Sequence, residues 1–305
     1  MKDSISIIII SYNRPGDLLE LLQSIRMQKD ISSLKEILVL NNASTDSYAA
    51  VEEFIKKNAD LNIHYVLSDK NLGVSGGRNK LMSMAGGEQL LVVDDDILFL
   101  EAGDLQKIAS VFEKAFFKDQ HTGVVTFRVI YHETKEQQKT AFPHKRFDKF
   151  KDKEIFLTSY FTGCAHLLQK RLLADTGLYP DNFFYGMEEY DLSYRIIKAG
   201  YSLGYDNMVT FAHKESPKGR QPNHQKLASQ WVNKSKVAYR YLPRIYYVTT
   251  MISWGFEYLQ KAKGHWGTFF RCWGKTLRIP FSEKRNYIGH KAMTYLRKVK
   301  ARLWY

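Results

Sequence analysis

The sequence predicts an α/β fold: a mostly parallel sheet with helices on both faces, followed by a helical C-terminal region that is basic and rich in aromatics. Three observations carry this. From Ile5 to Asp96, short β-branched apolar runs alternate with stretches of helical spacing. Polar and glycine-rich segments follow the apolar runs, where open α/β sheets bind their ligands. The charge is also divided. Residues 214–305 hold 20 Lys and Arg against 3 Asp and Glu, while residues 1–213 hold 25 against 29.

In order along the chain, ISIIII at residues 5–10 is β-branched almost without a break, as a strand buried on both faces requires. SYNRPGD follows as a loop. LLELLQSIRMQ has helical spacing, with Asp17 available as its N-cap. EILVLNN reads as a second buried strand, closed by NNASTD. Residues 48–58 read as a helix and IHYVLSD as a shorter third strand. KNLGVSGGRNKLMSMA is a glycine-rich turn feeding a helix, and QLLVVDDD is the fourth strand. The segments after these four strands should meet on one rim.

Residues 131–156 are charged and without period, which predicts a long loop. FLTSYFTGCAHLLQKRLLADTG resumes strand and helix. FFYGMEEYDLSYRIIKAGY predicts an acidic segment and then a helix stopped at Gly200. SLGYDNMVTFAHKES predicts a last strand. Pro, Gly and charge cluster at 217–222, setting an expected boundary between a catalytic domain of residues 1–216 and a helical region of 217–305. Within that region, KAMTYLRKVKARLWY puts Met293, Leu296, Val299 and Leu303 near one face of a basic helix, a pattern suited to an anionic membrane surface or to packing on the body.

Composition narrows the class. Cys164 and Cys272 are far apart and have no zinc spacing, so neither a disulfide framework nor a zinc site is expected, and a reducing cytoplasm fits. The N-terminal apolar run is too short for a signal-peptide core. Residues 245–259 fall short of a span of about 20 residues. All five tryptophans lie in the basic third, which points to anionic membrane or nucleic acid, but no nucleic-acid motif accompanies them.

The chemistry centres on LLVVDDDILFL. Carboxylates beside buried apolar runs need compensation, and a divalent cation supplies it. In an extended strand Asp94 and Asp96 point to the same side. A solvated acidic turn would give the same letters. NLGVSGGRN offers backbone N–H groups and Arg78 to a pyrophosphate, or is a plain β–α turn. NNASTD offers Asn41 and Asp46 to a base edge, or is an Asx turn with a helix cap.

Taken together, IIIISYNRP, LVLNNASTD, NLGVSGGRN, LLVVDDD, FTGCAHLLQKRLL…TGLY and FFYGMEEYDLSYRIIKAGY resemble the successive motifs of glycosyltransferase family 2, over roughly residues 4–216. The pattern is most similar to the rhamnosyltransferase-like bacterial branch that builds cell-surface polysaccharides. The resemblance implies a GT-A fold, a nucleotide-sugar donor, Mn²⁺ or Mg²⁺, and inversion at the anomeric carbon. It implies Ser11, Asn13 and Arg14 near the nucleotide, then Asn41 and Asp46, then Asp69, Gly76, Arg78 and Asn79 as a third contact region. It makes Asp94 and Asp96 the metal pair, with Asp95 facing the ribose or donor sugar. His213 matches the place of a further metal ligand, although an ordinary strand-end histidine reads the same; an imidazole would favour Mn²⁺.

Inverting transfer is a direct displacement at C1, and it needs a carboxylate to take the acceptor proton. The family usually shows Glu-Asp where this chain has Glu188 and Glu189. Glu189 is the expected base and Glu188 the acceptor contact, with Asp191 as the alternative base. Asp191 and Arg195 are four apart on a helix, so an ion pair would explain Asp191 equally. The metal and Arg78 would stabilise the departing nucleotide diphosphate.

The expected function is therefore metal-dependent, inverting transfer of a hexosyl or rhamnosyl group. The donor would be a UDP- or dTDP-sugar and the acceptor a hydroxyl of a glycan or lipid-linked saccharide, in cell-wall polysaccharide synthesis. The expected place is the cytoplasm, peripheral on the inner face of the membrane, in contact with anionic lipid; a homo-oligomer is a further candidate. The competing readings are a non-catalytic membrane- or nucleic-acid-binding scaffold, and a nucleotidyltransferase, whose glycine- and Lys/Arg-rich first loop SYNRPGD matches poorly.

Overall fold

In the computed structural model, which describes residues 4–219, 222–262 and 264–304, the ISIIII run forms β1 (Ile5–Ser11). Pro15 opens α1 (Pro15–Arg26), where its missing N–H is no loss. Asp17 is not the N-cap: it lies inside the first turn and pairs with Lys214 at 2.6 Å. Next come β2 (Leu34–Asn41), α2 (Ala49–Lys57), β3 (Ile63–Leu67), α3 (Gly73–Met84) and β4 (Gln89–Asp94). Beyond the acidic triplet come β5 (Ile97–Phe99), α4 (Asp104–Ala109), α5 (Ala115–Asp119) and β6 (Thr122–Tyr131). They are followed by α6 (Phe147–Phe150), β7 (Ile155–Thr158), β8 (Ala165–Gln169), α7 (Leu173–Thr176), α8 (Glu188–Lys198) and β9 (Ser202–His213). Gly200, at φ +95°, turns the chain between α8 and β9.

The sheet order is β3-β2-β1-β4-β8-β6-β9-β5, with β7 also on β9. β1 runs parallel to β2 and β4, β2 to β3, and β6 to β9. β8, β5 and β7 run antiparallel to their neighbours. Both faces are covered, which is why β1 is apolar at almost every position. Ile8 packs with Leu38 and Leu81 on one side, and Ile7 and Ile9 with Leu18 and Leu22 on the other. Gly77 lets α3 settle on this sheet: a Cβ there would stand 3.0 Å from Ile10 and 3.2 Å from Leu40.

Residues 131–156 are not a bare loop. Phe142, Phe150 and Phe156 bury themselves against Tyr205 on β9, and Gln138 and His144 are buried beside them. Aromatics scattered among charges have no period, so this packing leaves no helical or strand signal.

The C-terminal region contains α9 (Asn223–Tyr241), α10 (Arg244–Lys261), α11 (Trp266–Ser282) and α12 (Gly289–Lys298). Trp231 of α9 is fully buried and donates its indole N–H to Met251 O at 2.9 Å. The apolar face of α12 is occupied: Met293 and Leu296 are buried, Val299 and Leu303 are buried beyond the helix end at Lys298 rather than on its face, and Tyr295 Oη donates to Thr158 O at 2.8 Å. That face packs on the body and is not free to lie on a membrane. The region shares a core with α8, since Val237 and Met293 join the cluster of Leu192 and Ile196. The expected boundary at 217–222 takes in Arg220 and Gln221, which lie outside the described residues.

Candidate active site

The carboxylates of the triplet are each met by a basic side chain. Asp94 ends β4 and is the most open, with its side chain 34% exposed; Arg78 Nη2 donates to it at 2.9 Å. Asp95 is buried, 2.9 Å from Arg14 Nη1. Burial pushes its carboxyl up to about 7, against the pull of Arg14 and a hydrogen bond with Ser11. Asp95 thus turns toward Arg14 and Ser11. Asp96 is buried between Arg14 Nη1 at 3.2 Å and His213 Nε2 at 3.1 Å, and it accepts the Ser216 N–H at 3.0 Å.

The short strand β5 makes the His213 contact possible. Ile97 lies opposite His213 in the β5–β9 ladder, one residue after Asp96. One ligand atom from each of Asp94, Asp96 and His213 falls within 4.8 Å of the others. His213 Nδ1 lies 2.8 Å from Gln138 Oε1. The Gln138 amide is oriented by donating its Nε2–H to Glu215 at 2.8 Å. Nδ1 therefore carries a proton and Nε2 is aimed at the carboxylates. Burial alone would lower the His213 pKa, but its bond and charge contact with Asp96 outweigh this and raise it. Two carboxylates and one oriented imidazole form a donor set that fits a divalent cation.

Arg78 joins this cluster to a second pair of acids. It is buried; Nη1 donates to Glu189 Oε1 at 3.0 Å, and Nη2 also reaches Gly163 O at 2.8 Å. Arg78 is therefore a strut between Asp94 and Glu189. Glu188 is buried at the first position of α8, with Oε1 3.7 Å from Arg78. Burial and the neighbouring Glu189 push Glu188 well above the usual carboxyl range, against Arg78. Of the two acids, Glu189 has the more accessible side chain. It lies flat against Gly163, where an added Cβ would come within 2.0 Å of Oε1.

The first two loops are tied together by polar contacts. Asn13, in the left-handed region at φ 56°, accepts the Thr45 N–H at 2.8 Å. Ser11 Oγ lies 2.7 Å from Tyr48 Oη, and Asn41 Nδ2 donates to Tyr65 Oη at 2.9 Å. Asp46 and Asp69 are exposed.

Three expectations are corrected. Three N–H groups of the glycine turn are already engaged within the protein: those of Leu72 and Gly73 bond Asn42 and Asn71, and that of Val74 bonds Phe184 O. Gly76 faces only Leu72 of its own turn. Asn79 bonds Tyr179 O, Tyr179 N and Asp181, so its side chain pins a loop. Asp191 is not a candidate base. Both its oxygens are engaged, Oδ1 by Arg195 at 2.8 Å and Oδ2 by Arg240 at 2.6 Å and Tyr241 at 2.9 Å. It ties α8 to α9. Asp191→Asn should lower unfolding stability in urea by about 3–5 kcal/mol, as expected for breaking a buried ion pair, and leave donor affinity unchanged in the folded fraction.

Sequence reading misses Tyr48, Gln138 and Gly163. Each acts on a partner distant in the chain, and only the FTGCA motif around Gly163 carries any local signal.

The model of glycosyl transferase family 2 matches residues 6–177, more than half of the chain. The chain belongs to this family. Bacillus subtilis YwdF, named an uncharacterized glycosyltransferase, is 29% identical over 199 residues, covering 64% of this chain and 68% of that protein. The mannosyltransferase PcManGT of Pyrobaculum calidifontis, solved with GDP-Man and Mn²⁺, superposes with a TM-score of 0.60 at 16% identity, covering 98% of this chain and 79% of that one. TarS 1-349 of S. aureus, solved with UDP-GlcNAc, gives 0.62 at 16% identity, covering 90% and 81%. These likenesses establish a GT-A-like α/β fold.

Proposed function

We propose that the protein is a metal-dependent, inverting glycosyltransferase. It moves a hexosyl or rhamnosyl group from a UDP- or dTDP-sugar to a hydroxyl of a glycan or lipid-linked acceptor in bacterial cell-surface polysaccharide synthesis. One observation carries the reading: a cation-type cluster and a glutamate pair stand on either side of a single guanidinium, Arg78.

A divalent ion held by Asp94, Asp96 and His213 would offset charge on the leaving diphosphate. The chain's own residues supply the rest. Ser11, Asn13, Asn41 and Tyr48, in the polar network after β1 and β2, lie on the side where the nucleoside would bind. Glu189 takes the proton of the acceptor hydroxyl as that oxygen attacks C1, and the bond from C1 to the diphosphate oxygen breaks on the opposite side. Burial and the neighbouring Glu189 raise the pKa of the Glu188 carboxyl, which disfavours a second negative charge beside the base. Arg78 holds Glu189 in place. Mn²⁺ suits the imidazole ligand better than Mg²⁺ does. Nucleotide-sugar complexes of PcManGT and TarS support the donor class for this chain.

The test is a thermal-shift screen with UDP-, dTDP- and GDP-sugars in Mn²⁺, followed by an assay for released nucleoside diphosphate. A donor at a hundred times its Kd should add about 2.7 kcal/mol of stability. Absence of any shift, or release of pyrophosphate from a nucleoside triphosphate plus sugar phosphate, would replace this reading with a scaffold or a nucleotidyltransferase.

A further inference from the structure

We propose that the outward faces of α10 and α11 form a docking surface for an anionic lipid bilayer. On α10, Ile245, Val248, Ile252 and Phe256 are exposed, and steps of three and four residues align them on one face. The residues of α10 that face inward, among them Tyr247, Met251 and Tyr258, are buried. On α11, Trp266 (58% exposed), Phe270 (65%), Leu277 and Phe281 (91%) repeat the pattern at steps of four, seven and four. Cys272, Thr276 and Ile279 make the buried side. Single exposed apolar residues are ordinary, but two full stripes on helices that pack together mark an interaction surface.

Charge selects the occupant. Beside its apolar stripe α11 carries Arg271, Lys275 and Arg278, all exposed and in no ion pair among the described residues. Residues 244–282 hold six Lys and Arg and one acid, Glu257, which already pairs with Lys261. A second copy of the chain would bring the same positive surface against itself, whereas an anionic headgroup layer complements it. Phe and Trp on one face with Lys and Arg alongside is the composition of helices that lie in the interface. No described helix is long and apolar enough to cross a membrane.

The surface is mechanically tied to the active site. α10 and α11 both pack on α9, and Asn233 of α9 donates to Tyr185 O at 3.1 Å and Gly186 O at 2.9 Å, just ahead of Glu188. Docking therefore sets the position of the glutamate pair relative to the bilayer. On the proposed function, this is where a lipid-anchored acceptor presents its hydroxyl.

The test is flotation of the full-length protein with vesicles of phosphatidylcholine alone or mixed with phosphatidylglycerol, at low and high salt. The protein should float only with the anionic vesicles, and salt should release it. The double variant Phe270→Ser/Phe281→Ser and the triple variant Arg271→Glu/Lys275→Glu/Arg278→Glu should each lower partitioning by about tenfold or more. Both should keep the wild-type melting temperature and donor binding, because the altered side chains are exposed. No flotation at low salt, or flotation unchanged in both variants, overturns the proposal. A lipid-free dimer in sedimentation that the Phe variant dissociates would assign the face to a second copy instead. Because donor binding is read separately, failure here leaves the transferase reading standing.

Discussion

Asp94→Ala should abolish transferase turnover and the Mn²⁺ dependence of donor binding while leaving the fold intact. Asp94 is the least buried of the triplet, and its side chain is held by Arg78, which keeps Glu189 and Gly163 O when Asp94 is removed. Its removal therefore opens no buried cavity. Asp96 is embedded, so the cleaner change there is Asp96→Asn, which retains an acceptor for the Ser216 N–H and removes the charge. Gln138→Ala, one shell out, should weaken metal affinity by about 10–100-fold, less than either aspartate change. Titration calorimetry with Mn²⁺ and donor, beside turnover, checks the order. Full activity in either aspartate variant, or in the wild type with excess EDTA, would remove the metal from the mechanism.

Glu189→Gln should keep donor affinity and lower kcat by about 10²–10⁴-fold, the range for a general base. The amide preserves an oxygen for Arg78 and the shape that rests on Gly163, so what is lost is proton transfer. Gly163→Ala offers a companion change that deletes no functional group. Its methyl would occupy the space of Glu189 Oε1 and force the carboxylate aside, and kcat should fall with donor binding retained. Steady-state kinetics on both, with Asp191→Asn as reference, separate base from scaffold. If Asp191→Asn is inactive in its folded fraction while Glu189→Gln turns over normally, the base has been misassigned.

The first four strands are legible because each apolar run is closed by its own turn residues, and carboxylates beside such runs stand out. β5 and β6 are not. β5 is three residues long and merges with the triplet, and β6 is a nearly continuous buried run with no strong period. The glycine turn misleads for a different reason. A glycine that approaches a phosphate and one that approaches a neighbouring chain are the same letter. Only the atoms facing the missing Cβ tell them apart; here they are Phe184 O for Gly73, and Ile10 and Leu40 for Gly77. Arg14 could be placed near the nucleotide from its motif, but its grip on Asp95, 81 residues away, could not. The same holds for Asp191, whose i,i+4 partner Arg195 is visible in the sequence while Arg240 and Tyr241 are not.

The pairing of β5 with β9 also bears on how the chain is made. His213 and Ser216 reach Asp96 from the far end of the catalytic fold; the Ser216 contact spans 120 residues. A chain emerging from the ribosome therefore displays its acidic triplet well before the partners that complete the cation cluster. Arg14, which pairs with Asp95 and Asp96 in the folded chain, is synthesised before them. Closure of so distant a contact is slow, because the loop entropy must be met before the ladder forms. Any nascent or truncated chain that stops short of β9 should therefore bind no Mn²⁺ at this cluster. On the proposed function, metal affinity would in this sense report completed synthesis and folding.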